Sequence, residues 1–167
     1  MRFVAITDTS GNLPNEQVQK ADLKVIAFPY FINGKEYTCL DSDKFCGDAF
    51  YAQIKDGMKV TTSQISPQQY SDFFEPWLQQ GQDVVFVCMS SGISGSCNSA
   101  RIGAQMLLEQ YPERQIEVVD TLGASLGEGW WRWRPPACGT RVWARRRPRR
   151  SCGIWCSACS MSSPWTI

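Results

Sequence analysis

The chain has 167 residues, of which 43% are hydrophobic, enough to bury the core of one domain and too few for two. No apolar stretch is long enough to span a membrane, and the first residues lack the apolar region and cleavage site of a signal peptide. We therefore expect a cytoplasmic protein without a membrane span. The 8 cysteines are expected to be thiols in a reducing compartment.

The net charge of +1 hides a change in composition near residue 129. Residues 1–128 hold all 16 acidic residues and 9 basic ones, a net charge of −7, whereas residues 129–167 hold 8 arginines and no acid. Like charges without an amphipathic period cannot bury enough apolar surface to offset the ordering of the backbone. We therefore expect a folded domain over residues 1–129 and a tail over residues 130–167 that forms no packed structure.

The tail shows neither the period of a strand nor that of a helix. Re-reading Trp130–Gly139 from the third base of codon 129, with CGN codons for arginine, gives an apolar, alanine-rich sequence of high helix propensity. This favours a frameshift, in the gene or in its sequencing, over a genuine tail. Zinc binding by the tail cysteines, whose spacing is irregular, and nucleic-acid binding by the arginines are less favoured, and we expect neither partner.

Turn-forming residues divide the start of the chain into short elements. A mostly apolar run predicts a strand over Arg2–Thr7, which ends in a turn-rich loop at Asp8–Pro14. The pattern then predicts a helix at Asn15–Lys20, a strand over Leu23–Phe31 and, after an Asn-Gly turn, a return strand at Glu36–Cys39.

Two helices are expected next. The first covers Asp43–Lys55, with Phe50 and Ile54 facing inward. The second has a clearer start, because Ser66 is placed as the N-cap, a proline follows at the first helical position, and Gln69 can complete a capping box. Apolar residues at helical spacing then predict a core-facing stripe of Tyr70, Phe73, Phe74, Trp77 and Leu78.

A buried strand that leads into a Ser/Gly turn is the part of the sequence that most clearly indicates a ligand. The apolar run Val84–Met89 has the length and β-branched content of a strand in a parallel sheet. A helix is expected to begin near Ser94 to Ser96, since Ala100, Ala104 and Leu107 follow at helical spacing. The free N–H groups of a helix start bind anions, so the turn predicts an anion site.

One more strand is expected at Gln115–Val119, ending at Asp120-Thr121. Three strands then end in loops rich in Ser, Thr and Asp, and these loops meet at one edge if the strands are parallel. The alternation of strands and helices predicts an α/β fold with a mainly parallel sheet and helices on both faces.

Four segments, in this order, resemble the N-terminal domain of DegV-type fatty-acid-binding proteins. They are Asp8-Thr9-x3-Leu13-Pro14, Thr62-Ser63-Gln64-x-Ser66-Pro67, Ser91-Gly92-Ile93-Ser94-Gly95-Ser96 and Asp120-Thr121-x3-Ser125-x-Gly127-x-Gly129. The resemblance implies a lipid-binding protein that holds a fatty acid by its carboxylate and presents it to a fatty acid kinase. It also implies a second domain that encloses most of the acyl tail. We expect this sequence to lack that domain and its fatty-acid binding to be impaired as a result.

The resemblance also implies the residues of the site. The carboxylate falls on the hydroxyls of Thr62 and Ser94, and Ser63, Ser91 and Gly95 are further ligand-binding candidates in the same segments. The sequence departs from the family at Asn12, where aspartate is usual, and it contains no histidine, so the histidine of the family's second domain has no counterpart. We expect no enzymatic activity, no cofactor and no bound metal.

Two alternatives to fatty-acid binding stay open from the residues alone. The first is phosphate or phospho-sugar binding, because a helix start accepts phosphate as readily as carboxylate. The second is a serine hydrolase built on Ser94, which is less favoured. A nucleophile elbow needs glycine where Ser96 stands, and the usual histidine base is missing.

Overall fold

The strands and helices of the chain are taken from a computed structural model, which describes residues 3–41, 44–125 and 127–128. These residues all belong to one compact unit, Met1–Trp133. The domain boundary expected at residue 129 and the unpacked tail expected over 130–167 lie outside the described residues.

Seven strands and four helices occur in the described part of the chain. The strands are β1 (Phe3–Asp8), β2 (Lys24–Ile26), β3 (Tyr30–Ile32), β4 (Lys35–Tyr37), β5 (Val60–Thr62), β6 (Asp83–Cys88) and β7 (Ile116–Asp120). The helices are α1 (Asn15–Lys20), α2 (Gly47–Lys55), α3 (Pro67–Gln79) and α4 (Ser96–Gln110), and a short 3-10 turn at Thr9–Gly11 follows β1.

The main sheet is parallel and has the strand order β2-β1-β6-β7. The chain moves from β1 outward to β2 on one side and from β6 outward to β7 on the other, so the direction of winding reverses between β1 and β6. Because such crossovers are right-handed, α1 and α4 lie toward opposite faces of the sheet, but α1 buries no residue. The α/β fold with a mainly parallel sheet, predicted from the sequence, is confirmed.

The hydrophobic core lies between the main sheet and the pair α3 and α4. Val84 and Phe86 on β6, Ile6 on β1, and Tyr70 and Phe74 on α3 are all fully buried. The rings of Tyr70 and Phe86 have centroids 5.2 Å apart, and those of Phe74 and Phe86 lie 5.5 Å apart. Successive side chains of a strand point to opposite faces, so Val84 and Phe86 lie on the same face of the sheet. The large aromatic groups pack on that face.

The start of α3 has the predicted geometry. The Gln69 backbone N–H donates to the Ser66 hydroxyl at 3.3 Å, and the Ser66 N–H donates to the Gln69 side-chain carbonyl at 2.9 Å. Of the predicted stripe, Tyr70, Phe74 and Leu78 are buried, whereas Phe73 and Trp77 pack at its margin and are partly exposed.

A second, antiparallel sheet of order β4-β3-β5 contradicts the single strand expected over Leu23–Phe31. The chain leaves the main sheet after Ile26 and enters the second sheet at Tyr30. The reason is Pro29, which cannot donate a ladder hydrogen bond and so interrupts the apolar run.

The expectation that Phe50 and Ile54 face inward was also wrong. α2 begins at Gly47 and has no buried residue, and 37% of Ile54 is exposed. Phe50 instead packs edge-on against Tyr30 of the second sheet, with ring centroids 6.3 Å apart. α2 therefore covers the small sheet rather than the main core.

Candidate functional site

The turn between β6 and α4 has the strand-turn-helix arrangement that the sequence predicts. The N–H groups of Ile93 and Ser94 both donate to the Ser90 carbonyl, at 3.0 and 3.1 Å. The Ser96 N–H donates to the Ser94 hydroxyl at 3.2 Å, and that hydroxyl donates to the Ser96 hydroxyl at 2.9 Å. Ser94 is therefore held, half-buried, at the positive end of α4, and Gly95 occupies the N-cap position.

The segment Thr62-Ser63-Gln64 lies beside this turn, although it belongs to the other sheet. Thr62 ends β5 and pairs with Tyr30 of β3, and the Ser63 N–H donates to the Pro29 carbonyl at 3.4 Å. All three residues of the segment are exposed. The Gln64 amide touches the turn: its oxygen lies 2.4 Å from where a side chain on Gly95 would begin. The fold thus brings the Thr62 segment against the residue next to Ser94.

Ser91 has a different environment from Ser94. It is exposed, and its backbone N–H donates to the Asp120 carboxylate at 3.1 Å. The same carboxylate oxygen accepts the Leu122 N–H at 3.1 Å. Burial opposes ionisation of Asp120, but hydrogen bonds from Ser91 and Leu122 outweigh it and lower the pKa of this carboxyl group. Ser91 therefore links the β6 loop to the β7 loop.

The loops after β1, β6 and β7 are joined into one structure at the carboxyl edge of the main sheet. The Met89 N–H donates to the Asp8 carboxylate at 3.2 Å, which ties the end of β6 to the end of β1. The Ser90 N–H donates to the Gly123 carbonyl at 2.8 Å, and the Ser125 N–H donates to the Ser10 carbonyl at 2.9 Å. The predicted meeting of three polar loops at one edge is confirmed.

Two buried carboxyl groups, Asp8 and Glu128, share one hydroxyl group. The Ser10 hydroxyl lies 2.5 Å from the Asp8 carboxylate and is also within hydrogen-bonding distance of the Glu128 carboxylate. The Thr7 hydroxyl donates to Glu128 at 3.0 Å. Asp8 is 1% exposed and Glu128 is 2% exposed. A hydroxyl carries one proton, so it can donate to only one of these carboxylates at a time.

The pKa values of both carboxyl groups are raised. Burial, followed by the nearby Asp8 carboxyl, raises the pKa of Glu128 to about 7. Burial also raises the pKa of Asp8, although hydrogen bonds from Ser10 and Met89 oppose the shift. We refer to Asp8, Ser10 and Glu128 as the carboxyl pair and its bridge.

Two thiols lie beneath the turn. Cys88, at the end of β6, and Cys97, in the first turn of α4, are both fully buried. The Cys88 thiol donates to the Val119 carbonyl at 3.3 Å, and burial raises its pKa. A buried, protonated thiol is a poor nucleophile, so Cys88 contributes packing at the base of the turn.

Comparison with known proteins identifies the family. The family model described as an uncharacterised protein of the DegV family matches residues 2–132. The chain belongs to the DegV family. A DegV domain-containing protein of Clostridium perfringens is 33% identical to it over 128 residues, which make up 77% of this chain and 44% of that protein.

Solved structures of DegV proteins share the fold. A stearic-acid-binding protein from Eubacterium ventriosum superposes with a TM-score of 0.68 at 26% identity, over 77% of this chain and 44% of that one. A DegV family protein from Thermus thermophilus, whose structure is described by its fatty acid binding, gives 0.69 at 26% identity over 87% and 49% of the two chains. This chain thus spans about half the length of the DegV proteins it matches.

The carboxyl pair of this DegV chain was missed from the sequence. Asp8 is part of a motif, but Glu128 occupies the unspecified position between two glycines, and its partners are more than 100 residues away in the chain. One signal was available in the sequence: Glu128 is a lone acidic residue in a run of small and apolar residues, which indicates a buried carboxyl group.

The described residues contain neither a membrane-spanning helix nor a cluster of metal ligands. No helix among them is long and apolar enough to cross a membrane. Within the same residues, no group of at least three His, Cys, Asp or Glu side chains could hold a metal ion.

Proposed function

We propose that this DegV-family chain binds a long-chain fatty acid through its carboxylate. The Thr62 hydroxyl donates to the head group, and the Ser94 hydroxyl does so by turning its one proton from the Ser96 hydroxyl to the ligand. Ser63, Ser91 and Gly95 complete the surrounding surface. The observation that carries the proposal is the contact between Gln64 and Gly95, because it sets the Thr62 segment against the Ser94 turn at the start of α4.

The chemistry of this region suits a carboxylate. Hydroxyl donors are joined by the positive end of a helix of 15 residues, and both favour an anion. Hydrogen bonds to a charged group contribute about 1.5–3 kcal/mol each. Two such bonds are enough to orient a head group, whereas most of the affinity for a long lipid comes from its tail, at about 0.8 kcal/mol per buried methylene.

An apolar surface lies beside the turn and suits the start of the acyl chain. Ile93 is 65% exposed and Leu122 is 62% exposed. Their loops are held together by Asp120, which accepts hydrogen bonds from the backbone of Ser91 and of Leu122. Large apolar groups beside hydroxyl donors match an amphiphile better than a phosphate or a phospho-sugar.

The proposed role is binding without chemical conversion. Ser94 is bonded to Ser96 on both its donor and acceptor sides, and the sequence contains no histidine to activate it as a nucleophile. Transfer of the bound fatty acid to a kinase in the cytoplasm is the corresponding cellular role, with the kinase as the protein partner.

Two measurements test the proposal. Lipid extraction and mass spectrometry of the purified chain should recover fatty acids rather than phosphorylated compounds. In calorimetry with stearate, the double variant Thr62→Ala/Ser94→Ala should bind at least about 100-fold more weakly, from two hydrogen bonds to a charged group.

The matched control changes two exposed neighbours, Thr61→Ala and Asn98→Ala, which lie on the same strand and the same helix. It should keep the affinity of the unmodified chain. Equal affinity in the double variant and this control would remove Thr62 and Ser94 from the site. Recovery of a phosphorylated ligand would replace the proposed function by phosphate binding.

A further inference from the structure

Gly95 is not required by the conformation of its own backbone. Its φ of −68° and ψ of −5° lie in the right-handed helical region, which every amino acid adopts readily. Serine, asparagine and aspartate are at least as common as glycine at the start of a helix. A reason for glycine at this position must therefore come from its surroundings.

The reason for glycine at position 95 lies in the neighbouring Gln64 side chain. A Cβ atom built on Gly95 would lie 2.4 Å from the Gln64 side-chain oxygen and 3.4 Å from its Cδ. The first distance is well inside van der Waals contact, so a side chain at position 95 and the Gln64 amide cannot occupy their places together. Gly95 thus provides room for an amide that comes from the other sheet.

The Gln64 amide offers N–H donors to the ligand, whereas Ser94 can donate only by giving up its hydrogen bond to the Ser96 hydroxyl. Ser94 already donates to the Ser96 hydroxyl and accepts from the Ser96 backbone. An amide group has two N–H donors as well as its oxygen. The Gln64 nitrogen is farther from Gly95 than the oxygen is, at 3.8 Å from the built Cβ. Gln64 is exposed and stands only two residues after Thr62.

We propose that Gln64 is a third contact to the ligand carboxylate, with its Nε2 donating to the head group, and that Gly95 keeps the space this amide needs. The inference rests on the proposed function, since it places Gln64 beside Thr62 and Ser94 in the same site. It adds a donor whose charge does not change with pH. It also assigns Gly95 an indirect role, as a positioning residue for Gln64.

The test compares stearate with octadecanol, which has the same tail and no carboxylate. Gln64→Ala should bind stearate about 10-fold more weakly and octadecanol unchanged, because only the head-group contact is lost. Gln64→Glu has nearly the same shape but replaces the amide donors by a negative charge, so its loss for stearate should exceed that of Gln64→Ala. Gln110→Ala, at the far end of α4, is the matched control and should bind both ligands normally.

A double-variant cycle tests the role of Gly95. Gly95→Ala should weaken stearate binding as much as Gln64→Ala does, since the new methyl group displaces the amide. Adding Gly95→Ala to Gln64→Ala should cause no further loss, because the displaced group is already gone. Folding of each variant is checked by circular dichroism and by the unchanged octadecanol affinity.

Each outcome has a distinct meaning. If Gln64→Ala and the unmodified chain bind stearate equally, Gln64 is not a contact and the inference is wrong while the proposed function stands. If Gly95→Ala and Gln64→Ala weaken binding additively, Gly95 does not act through Gln64. If the unmodified chain binds neither ligand, the proposed function fails and the inference falls with it.

Discussion

Replacing Glu128 by glutamine should make the protein more stable at alkaline pH. In the native structure the Glu128 carboxylate is buried and shares the Ser10 hydroxyl with Asp8. A glutamine amide would donate to the Ser10 oxygen and leave the Ser10 proton to Asp8, and the Thr7 hydroxyl could still donate to the amide oxygen. The substitution therefore removes one buried charge and satisfies the same groups.

The size of the effect follows from the pKa. The pKa of Glu128 is raised from 4.5 to about 7, mainly by burial and then by Asp8. A raised carboxyl pKa means that the folded state holds its proton more tightly than the unfolded state. The contribution of Glu128 to the free energy of unfolding should therefore be most favourable below about pH 4.5, fall as the pH rises through about 7, and then level off. The total loss is on the order of 3 kcal/mol.

The assay is denaturant unfolding of Glu128→Gln and the unmodified chain at intervals from pH 5 to pH 8. The difference in free energy of unfolding should grow with pH and reach about 3 kcal/mol in favour of Glu128→Gln near pH 8. Glu16→Gln, on the exposed surface of α1, is the matched control and should follow the unmodified chain. A difference that stays constant across the range would show that Glu128 does not titrate there and would refute the reasoning.

Two further predictions concern packing and capping. Gly103→Ala should lower the free energy of unfolding by about 1–3 kcal/mol, because its methyl group would lie 2.5 Å from the Pro67 carbonyl oxygen on α3. Gln105→Ala, exposed on the same helix, should change it little, and a stabilising Gly103→Ala would contradict the close contact. Ser66→Ala should cost about 1 kcal/mol in the same assay through loss of the capping box, and Ser66→Asn should restore most of it. Equal stability of these two Ser66 variants would argue against the cap.

Local signals in the sequence predicted the elements that local interactions determine. The start of α3 depends on Ser66, Pro67 and Gln69, which are neighbours in the chain, so its position could be predicted closely. The strand before the Ser90 turn could also be predicted, since a buried strand in a parallel sheet needs a continuous apolar run. The assignment over Leu23–Phe31 failed because an apolar run does not reveal which sheet each part joins.

The site was predictable only in part, for the same reason. The Ser94 turn follows from a strand and a helix that are adjacent in sequence. Its contact with Gln64 depends on how the second sheet is placed, and no local pattern specifies that placement. Glu128 and the β1 loop are more than 100 residues apart in the chain, so their contact could not be predicted from a single sequence.

Because of the second sheet, the position of Thr62 does not depend on the length of the chain between β3 and β5. Tyr30 pairs with Thr62, and the Pro29 carbonyl accepts the Ser63 N–H at 3.4 Å, so the excursion that begins after β2 is closed at its base. Closing a longer loop costs only slightly more entropy, about 0.6 kcal/mol for each doubling of its length. The connection between β4 and α2, residues 38–46, can therefore be lengthened during evolution while Thr62 keeps its pairing with Tyr30.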